Sequence, residues 1–193
     1  MGFRWKITED LVFGEFDELE IDWLRRSLPE YKRMLEHRLG EYRCYDSLCD
    51  AIGMPLPCSP LRVRPLRALR ALWCGQEQDD ALLWWREADL FTAMHRDARI
   101  ALDTLPSSGH RVELPWSSQV HAWFWVLVNI RFAHGVSSDL PEIARCPEWE
   151  LPAGKLDANS TEDLNRYTLW WLGRAAYGLR AVSGQPLPEL VLR

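Results

Sequence analysis

The chain has 193 residues, 47% of them apolar, and carries a formal charge of -5 with a pI near 5.6. The apolar share excludes a disordered chain, the length suits one domain able to bury most of its apolar surface, and the acidic balance excludes a protein that coats nucleic acid through bulk charge. Eleven tryptophans imply broad packing between helices, or indole faces left for a partner.

Residues 2–16 alternate about a turn. GFRWKIT and LVFGEF flank Glu9-Asp10 and read as a β-hairpin, with Trp5 and Ile7 facing Phe13 or its neighbour across the pair. Arg111 to Leu114 is the other strand-like piece, expected either to join the hairpin or to lead into the next helix. Asp17 and Glu20 form a D-x-x-E cap, with Phe16 placed to staple against Ile21. In the helix that follows, Leu19, Trp23, Leu24, Leu28, Tyr31, Leu35 and Leu39 make an inward stripe. Pro29 predicts a kink or break, and Gly40 a stop.

Between Glu41 and Gly75 a short helical piece gives way to Pro55, Pro57 and Pro60, and a second helix starts near Pro65. Asp79 or Asp80 begins the longest helix, whose inner face is Trp84, Phe91, Met94, Ala98, Ala101 and Leu105. Its outer side carries Thr92, Arg96, Arg99 and Asp103. Trp116 to Val136 is apolar on every side and too interrupted to span a membrane, so it reads as the buried central helix. A Pro-rich, acidic loop follows. Ser160 and Asp163 then cap a last helix with Leu164, Thr168, Trp171, Ala175 and Leu179 on one face. The fold class is therefore mainly α: a single-domain helical bundle over residues 1–183 around the central helix, with a small N-terminal β-hairpin and a tail at 184–193. MGFRWKITED lacks a signal-peptide core and no later segment reads as a span, which predicts a cytoplasmic protein with reduced thiols.

Signatures of chemistry are sparse. There is no H-E-x-x-H, G-x-S-x-G, Walker or dinucleotide motif, and His37, His95, His110, His121 and His134 stand singly. Five cysteines cannot all pair with one another. Cys44, Cys49 and Cys58 form one loose cluster that lacks the two close pairs of a zinc site, so neither a metal nor a cofactor is expected. A thiol–disulfide switch is the alternative, because Cys49 precedes, and Cys58 lies within, the Pro-rich segment from Met54 to Pro60. Positions 44 and 49 lie about 140° apart on a regular helix, so pairing those two requires fraying. Arg43, Arg62 and Arg64 favour a thiolate. Packing is the plainer reading for Cys74, and Cys146 stays open.

Arg62, Arg64, Arg67 and Arg70 make the one concentrated positive patch, either a solvated helix face or a contact surface for DNA or a protein. Arg131 falls among Val120, Phe124 and Leu127, where a guanidinium requires a carboxylate or carbonyl. An ion pair with an acidic side chain on a neighbouring helix is the leading expectation there.

An ordered series of short pieces runs along the chain. It begins with Phe3 and Trp5, then Leu19, Glu20, Leu24, Arg25, Ser27 and Leu28. D-D-A at 79–81, A-L-D-T-L-P at 101–106, R-V-E-L at 111–114, A-W at 122–123, I-R-x-A-x-G at 130–135 and W-L-G at 171–173 continue it. Together, over nearly the whole chain, these resemble the domain of unknown function 2017 family of actinobacteria. The resemblance implies an oxidative-stress regulator that senses oxidants through a cysteine pair and acts on transcription with a sigma-factor partner. The sequence departs from the family where an L-N-D-L-R run is usual: Val128 and Asn129 precede Ile130-Arg131, so an acidic residue is missing.

The leading expectation is a non-enzymatic, redox-responsive regulatory protein. Oxidation joins two of Cys44, Cys49 and Cys58, reorders the Pro-rich loop, and changes how the arginine patch meets DNA or a protein partner. A binding or scaffold protein with packing cysteines, which uses Trp faces or the PLPELVLR tail, is the alternative. An enzyme or ligand binder built on Arg131, His134 and Asn129 is the third reading, and it requires a sizeable apolar pocket with polar groups converging on it.

Overall fold

The computed structural model describes residues 4–8, 11–52, 61–74, 80–115, 118–146, 157 and 159–183, without the side chains of 4, 44–50, 52 and 80–85. Strands β1 (Arg4–Ile7) and β2 (Leu11–Glu15) form the expected hairpin, and β3 (Arg111–Pro115) joins it, giving an antiparallel sheet of order β1-β2-β3. The register pairs Trp5 with Gly14 and Ile7 with Val12, so the neighbours of Phe13, rather than Phe13 itself, face them. A Cβ on Gly14 would lie 2.7 Å from the Trp5 ring, so the glycine is what lets the indole lie flat on β2. Trp5, Val12, Val112 and Leu114 turn inward, and the Trp5 indole N–H donates to the Ala175 carbonyl at 2.8 Å. That bond ties the sheet to the last helix.

Helix α1 (Glu18–Ile52) opens on the predicted capping box: the Asp17 carboxylate accepts from the Glu20 N–H at 2.8 Å, and the Glu20 carboxylate from the Asp17 N–H at 3.0 Å. The helix continues through both Pro29, where a kink or a break was expected and no break occurs, and Gly40, where a stop was expected. Proline costs about 3 kcal/mol inside a helix. Leu24, Leu28, Tyr31 and Leu35 are all buried on either side of it, and each such side chain contributes about 1.5–3 kcal/mol. Burial outweighs the lost bond. The inward stripe begins at Ile21, not Leu19, which is 74% exposed. Two residues turn about 200° on a helix, so burying Ile21 turns Leu19 to solvent.

A Cβ at Gly40 would meet nothing within 4 Å. Gly40→Ala is therefore expected to stabilise the protein by about 0.5–1 kcal/mol, since alanine loses less backbone freedom in a helix. The urea midpoint should rise with the m-value unchanged, and a fall would show that the glycine serves a local bend.

Helices α2 (Arg64–Cys74), α3 (Asp80–Thr104), α4 (Ser118–Ser137), α5 (Pro141–Arg145) and α6 (Thr161–Ser183) complete the described elements. The segment read as a loop after the central helix holds α5, with Pro141 in its first turn. On α3, Phe91, Met94, Ala98 and Ala101 are buried while Thr92, Arg96, Arg99 and Asp103 are exposed, as their period predicts. On α6, the Ser160 hydroxyl accepts from the Asp163 N–H at 3.3 Å, and Thr168, Trp171, Ala175 and Leu179 are buried. Leu164 is 49% exposed, because it precedes the first turn that reaches the core.

Helix α4 is the centre. Val120, Trp123, Phe124, Val126, Leu127, Ile130, Phe132, Ala133 and Val136 are buried around its circumference, and α2, α3, α5 and α6 pack against it. Trp116 lies outside the described residues, as do Cys58 and the tail.

Candidate functional site

Arg131 is only 5% exposed. Its Nε donates to the Leu169 carbonyl at 2.8 Å, Nη1 to Ala144 at 2.8 Å, and Nη2 to Ile143 at 2.8 Å and Cys146 at 2.7 Å. The expectation of a carboxylate partner is corrected: all four acceptors are backbone carbonyls. Three of them lie at the C-terminal end of α5, where Ile143 already accepts from the Cys146 N–H at 3.2 Å and the end carbonyls carry the helix's partial negative charge. Burial pulls the guanidinium's pKa down, and Tyr177 and Cys146 oppose that pull.

Two glycines make room. A Cβ on Gly173 would stand 3.1 Å from Arg131 Nε, and one on Gly135 would stand 2.4 Å from the Ala144 Cβ. The I-R-x-A-x-G and W-L-G motifs thus meet in space as one clamp that fixes α5 between α4 and α6. Other motif residues serve similarly: the Trp123 indole N–H donates to Thr104 Oγ1 at 2.7 Å, and Arg25 Nε and Nη2 donate to the Pro106 carbonyl at 3.1 Å.

The remaining polar groups of α4 diverge. Asn129 accepts from the Trp73 indole N–H of α2 at 3.0 Å. The His134 ring meets the edge of Trp23 of α1 at 5.4 Å, with its Nε2 buried and unpartnered. Burial lowers the His134 pKa, and Asn165 pulls it part of the way back. A cavity of about 20 Å³ beside Arg131 is lined by Leu72, Val128, Phe132, Ala144 and Gly173, with Ala176 and Tyr177. That is room for about one water. Drug-sized ligands occupy about 300–1,000 Å³. The pocket required by the ligand-binder reading is not at this place.

A second buried polar centre went unread in the sequence. Glu87 of α3 is 2% exposed and Arg38 of α1 is 4% exposed. Arg38 Nε and Nη2 donate to Glu87 Oε1 at 3.0 and 2.7 Å, and Arg70 Nη1 of α2 donates to Oε2 at 3.0 Å. The Tyr42 hydroxyl donates to Oε1 as well, and Arg38 Nη1 reaches Glu41 at 2.6 Å. Burial works against the Arg38 charge, but the hydrogen bonds to Glu41 and Glu87 outweigh it and hold its pKa above the ordinary value. Burial, and then Glu87, push the Tyr42 hydroxyl's pKa up. Three helices converge on one carboxylate. The signal was present in the spacing, because Glu87 precedes Phe91 and Met94 on the inner face of α3, and Arg38 follows Tyr31 and Leu35 on that of α1.

The arginine patch divides. Arg70 turns to Glu87, Arg64 pairs with Asp139 at 2.6 Å on the surface, and Arg62 and Arg67 are exposed. Cys44 and Cys49 both stand within the continuous α1. Five residues of helix rise about 7.5 Å, beyond the roughly 6.8 Å of Cα separation that a disulfide spans. Those two pair only if α1 unwinds. Cys74 is half-buried and Cys146 exposed. Among the described residues no group of three or more His, Cys, Asp or Glu is placed to hold a metal ion, and no helix is long and apolar enough to cross a membrane.

No curated protein and no solved structure matches the chain. The model of a domain of unknown function, DUF2017, matches residues 2–179. That span runs from the first strand of the sheet to Leu179 of α6 and takes in both polar centres, so the chain belongs to the DUF2017 family.

Proposed function

We propose that this chain is a non-catalytic, redox-responsive regulatory protein. It works by contact with a protein of the transcription apparatus, with a sigma factor the partner expected from the family resemblance and DNA the second candidate. The feature that supports the reading is the order of the three cysteines along the chain just before α2. Cys44 and Cys49 lie near the end of α1, Cys58 lies in the connection to α2, and the outer side of α2 and the residues just before it carry Arg62, Arg64 and Arg67. The inner side of α2 is anchored through Arg70 to Glu87 and through Trp73 to Asn129. A bridge from Cys58 to α1 shortens that connection and biases where the arginine face stands.

The test is mild peroxide treatment, followed by peptide mapping with and without reductant and by hydrogen exchange of residues 61–74. A reversible bridge from Cys58 to Cys44 or Cys49, with altered exchange in α2, is the expected result. A folded, oxidised protein without an intramolecular bridge overturns it.

A scaffold role without redox chemistry draws on one surface feature. Trp73 and Trp125 are half-buried and meet edge to face at 5.1 Å, and the Trp125 indole N–H donates to the exposed His121 at 2.9 Å. Half-exposed tryptophans are frequent anchors in interfaces.

A further inference from the structure

The structure assigns a binding site for one monatomic anion, chloride in the cell, to the cavity beside Arg131, on the juxtaposition of a buried arginine that has no carboxylate partner among the described residues and a space of about 20 Å³ at its side. The inference is independent of the redox reading. Arginine is permanently charged and offers five N–H groups. One from Nε, two from Nη2 and one from Nη1 are spent on the carbonyls of Leu169, Ile143, Cys146 and Ala144. One N–H on Nη1 is left over.

Four neutral carbonyls satisfy hydrogen bonds but leave a whole positive charge, and among the described residues no acidic side chain forms an ion pair with Arg131. The end of α5 offsets at most about half a charge. A buried ion is tolerated when it is both paired and hydrogen-bonded. A water in the cavity meets the second condition only, whereas a halide meets both.

Size sets the class. The space beside Arg131 admits about one water-sized particle, which suits chloride or bromide better than sulfate, phosphate or a carboxylate. Val128, Phe132, Leu72 and Ala176 supply apolar walls, which favour a weakly hydrated halide over fluoride.

Bromide is the probe. Crystals of the full chain soaked in sodium bromide should show an anomalous peak about 3.3 Å from Arg131 Nη1, a hydrogen-bonding separation widened for the larger halide. In solution, thermal unfolding at constant ionic strength should shift upward by a few degrees, and saturably, as bromide or chloride replaces gluconate, since a ligand bound only to the native state stabilises it. Val128→Ile, which fills the cavity and leaves Arg131 in place, should remove the halide dependence while the protein stays folded. An adventitious surface halide, a bromide-insensitive water at this position, or equal midpoints in bromide and gluconate would each overturn the assignment.

Discussion

Glu87→Gln is expected to lower the unfolding free energy by about 3–5 kcal/mol. The carboxylate is 2% exposed and accepts from Arg38, Arg70 and Tyr42 on two other helices. Glutamine keeps the shape but removes the charge, and it turns an N–H₂ toward one arginine. Arg38 then remains buried after losing its buried carboxylate, with the half-exposed Glu41 still beside it. Against a total of about 5–15 kcal/mol for a domain, that is a large fraction. The melting midpoint should fall on the order of 10 °C at this chain length. Arg70→Met should cost less, because Arg70 is 28% exposed and its loss leaves Glu87 still paired with Arg38. Chemical denaturation of both single variants and the double variant gives the coupling energy. A loss below about 1 kcal/mol for Glu87→Gln would mean that water screens the cluster as it does surface pairs.

The same cluster shows what sequence reasoning reads and what it passes over. Apolar spacing located the long helices α1, α3, α4 and α6, because burying a face at 3.6 residues per turn is the main organising force and leaves its period in the chain, whereas the single turn and a half of α5 was too short to show one and was read as loop. It located the central helix to within two residues at its start and one at its end. The two departures in α1 have one cause: Pro29 and Gly40 are local penalties of a few kcal/mol or less, and a buried face on both sides overrides them. Arg38 and Glu87 lie on the apolar period themselves. A charge on an inward position signals a buried pair, but one sequence does not say which helix supplies the partner.

Gly135 and Gly173 carry a similar limit. Their role is fixed by the approach of Ala144 and Arg131, residues 9 and 42 positions away, and no local pattern encodes that proximity. The candidate site was legible only in part for the same reason. The arginines of α2 were visible as a run, yet Arg70 turns inward because a buried carboxylate 17 residues on draws it there.

Arg131→Met is the second large effect, expected to cost about 3–5 kcal/mol, since several buried carbonyls lose a charged donor at about 1–3 kcal/mol each. Methionine keeps the apolar stem but leaves the carbonyls of Ala144 and Cys146 without the donor Arg131 supplies, while Ile143 keeps the Cys146 N–H at 3.2 Å and Leu169 keeps its helical surroundings. Each buried acceptor left unsatisfied costs about 1–3 kcal/mol, less whatever water recovers. The damage should be local first: hydrogen exchange at residues 143–146 should accelerate by more than that of α3, because α5 is five residues long and has little helical stability of its own. Arg131→Lys separates charge from geometry. An ammonium keeps the charge but cannot span from Leu169 on α6 to Cys146 beyond α5, so lysine should recover less than half of the loss. Full recovery by lysine would mean that charge at the end of α5, rather than the fork of the guanidinium, holds the clamp. The two glycines would then be packing residues only.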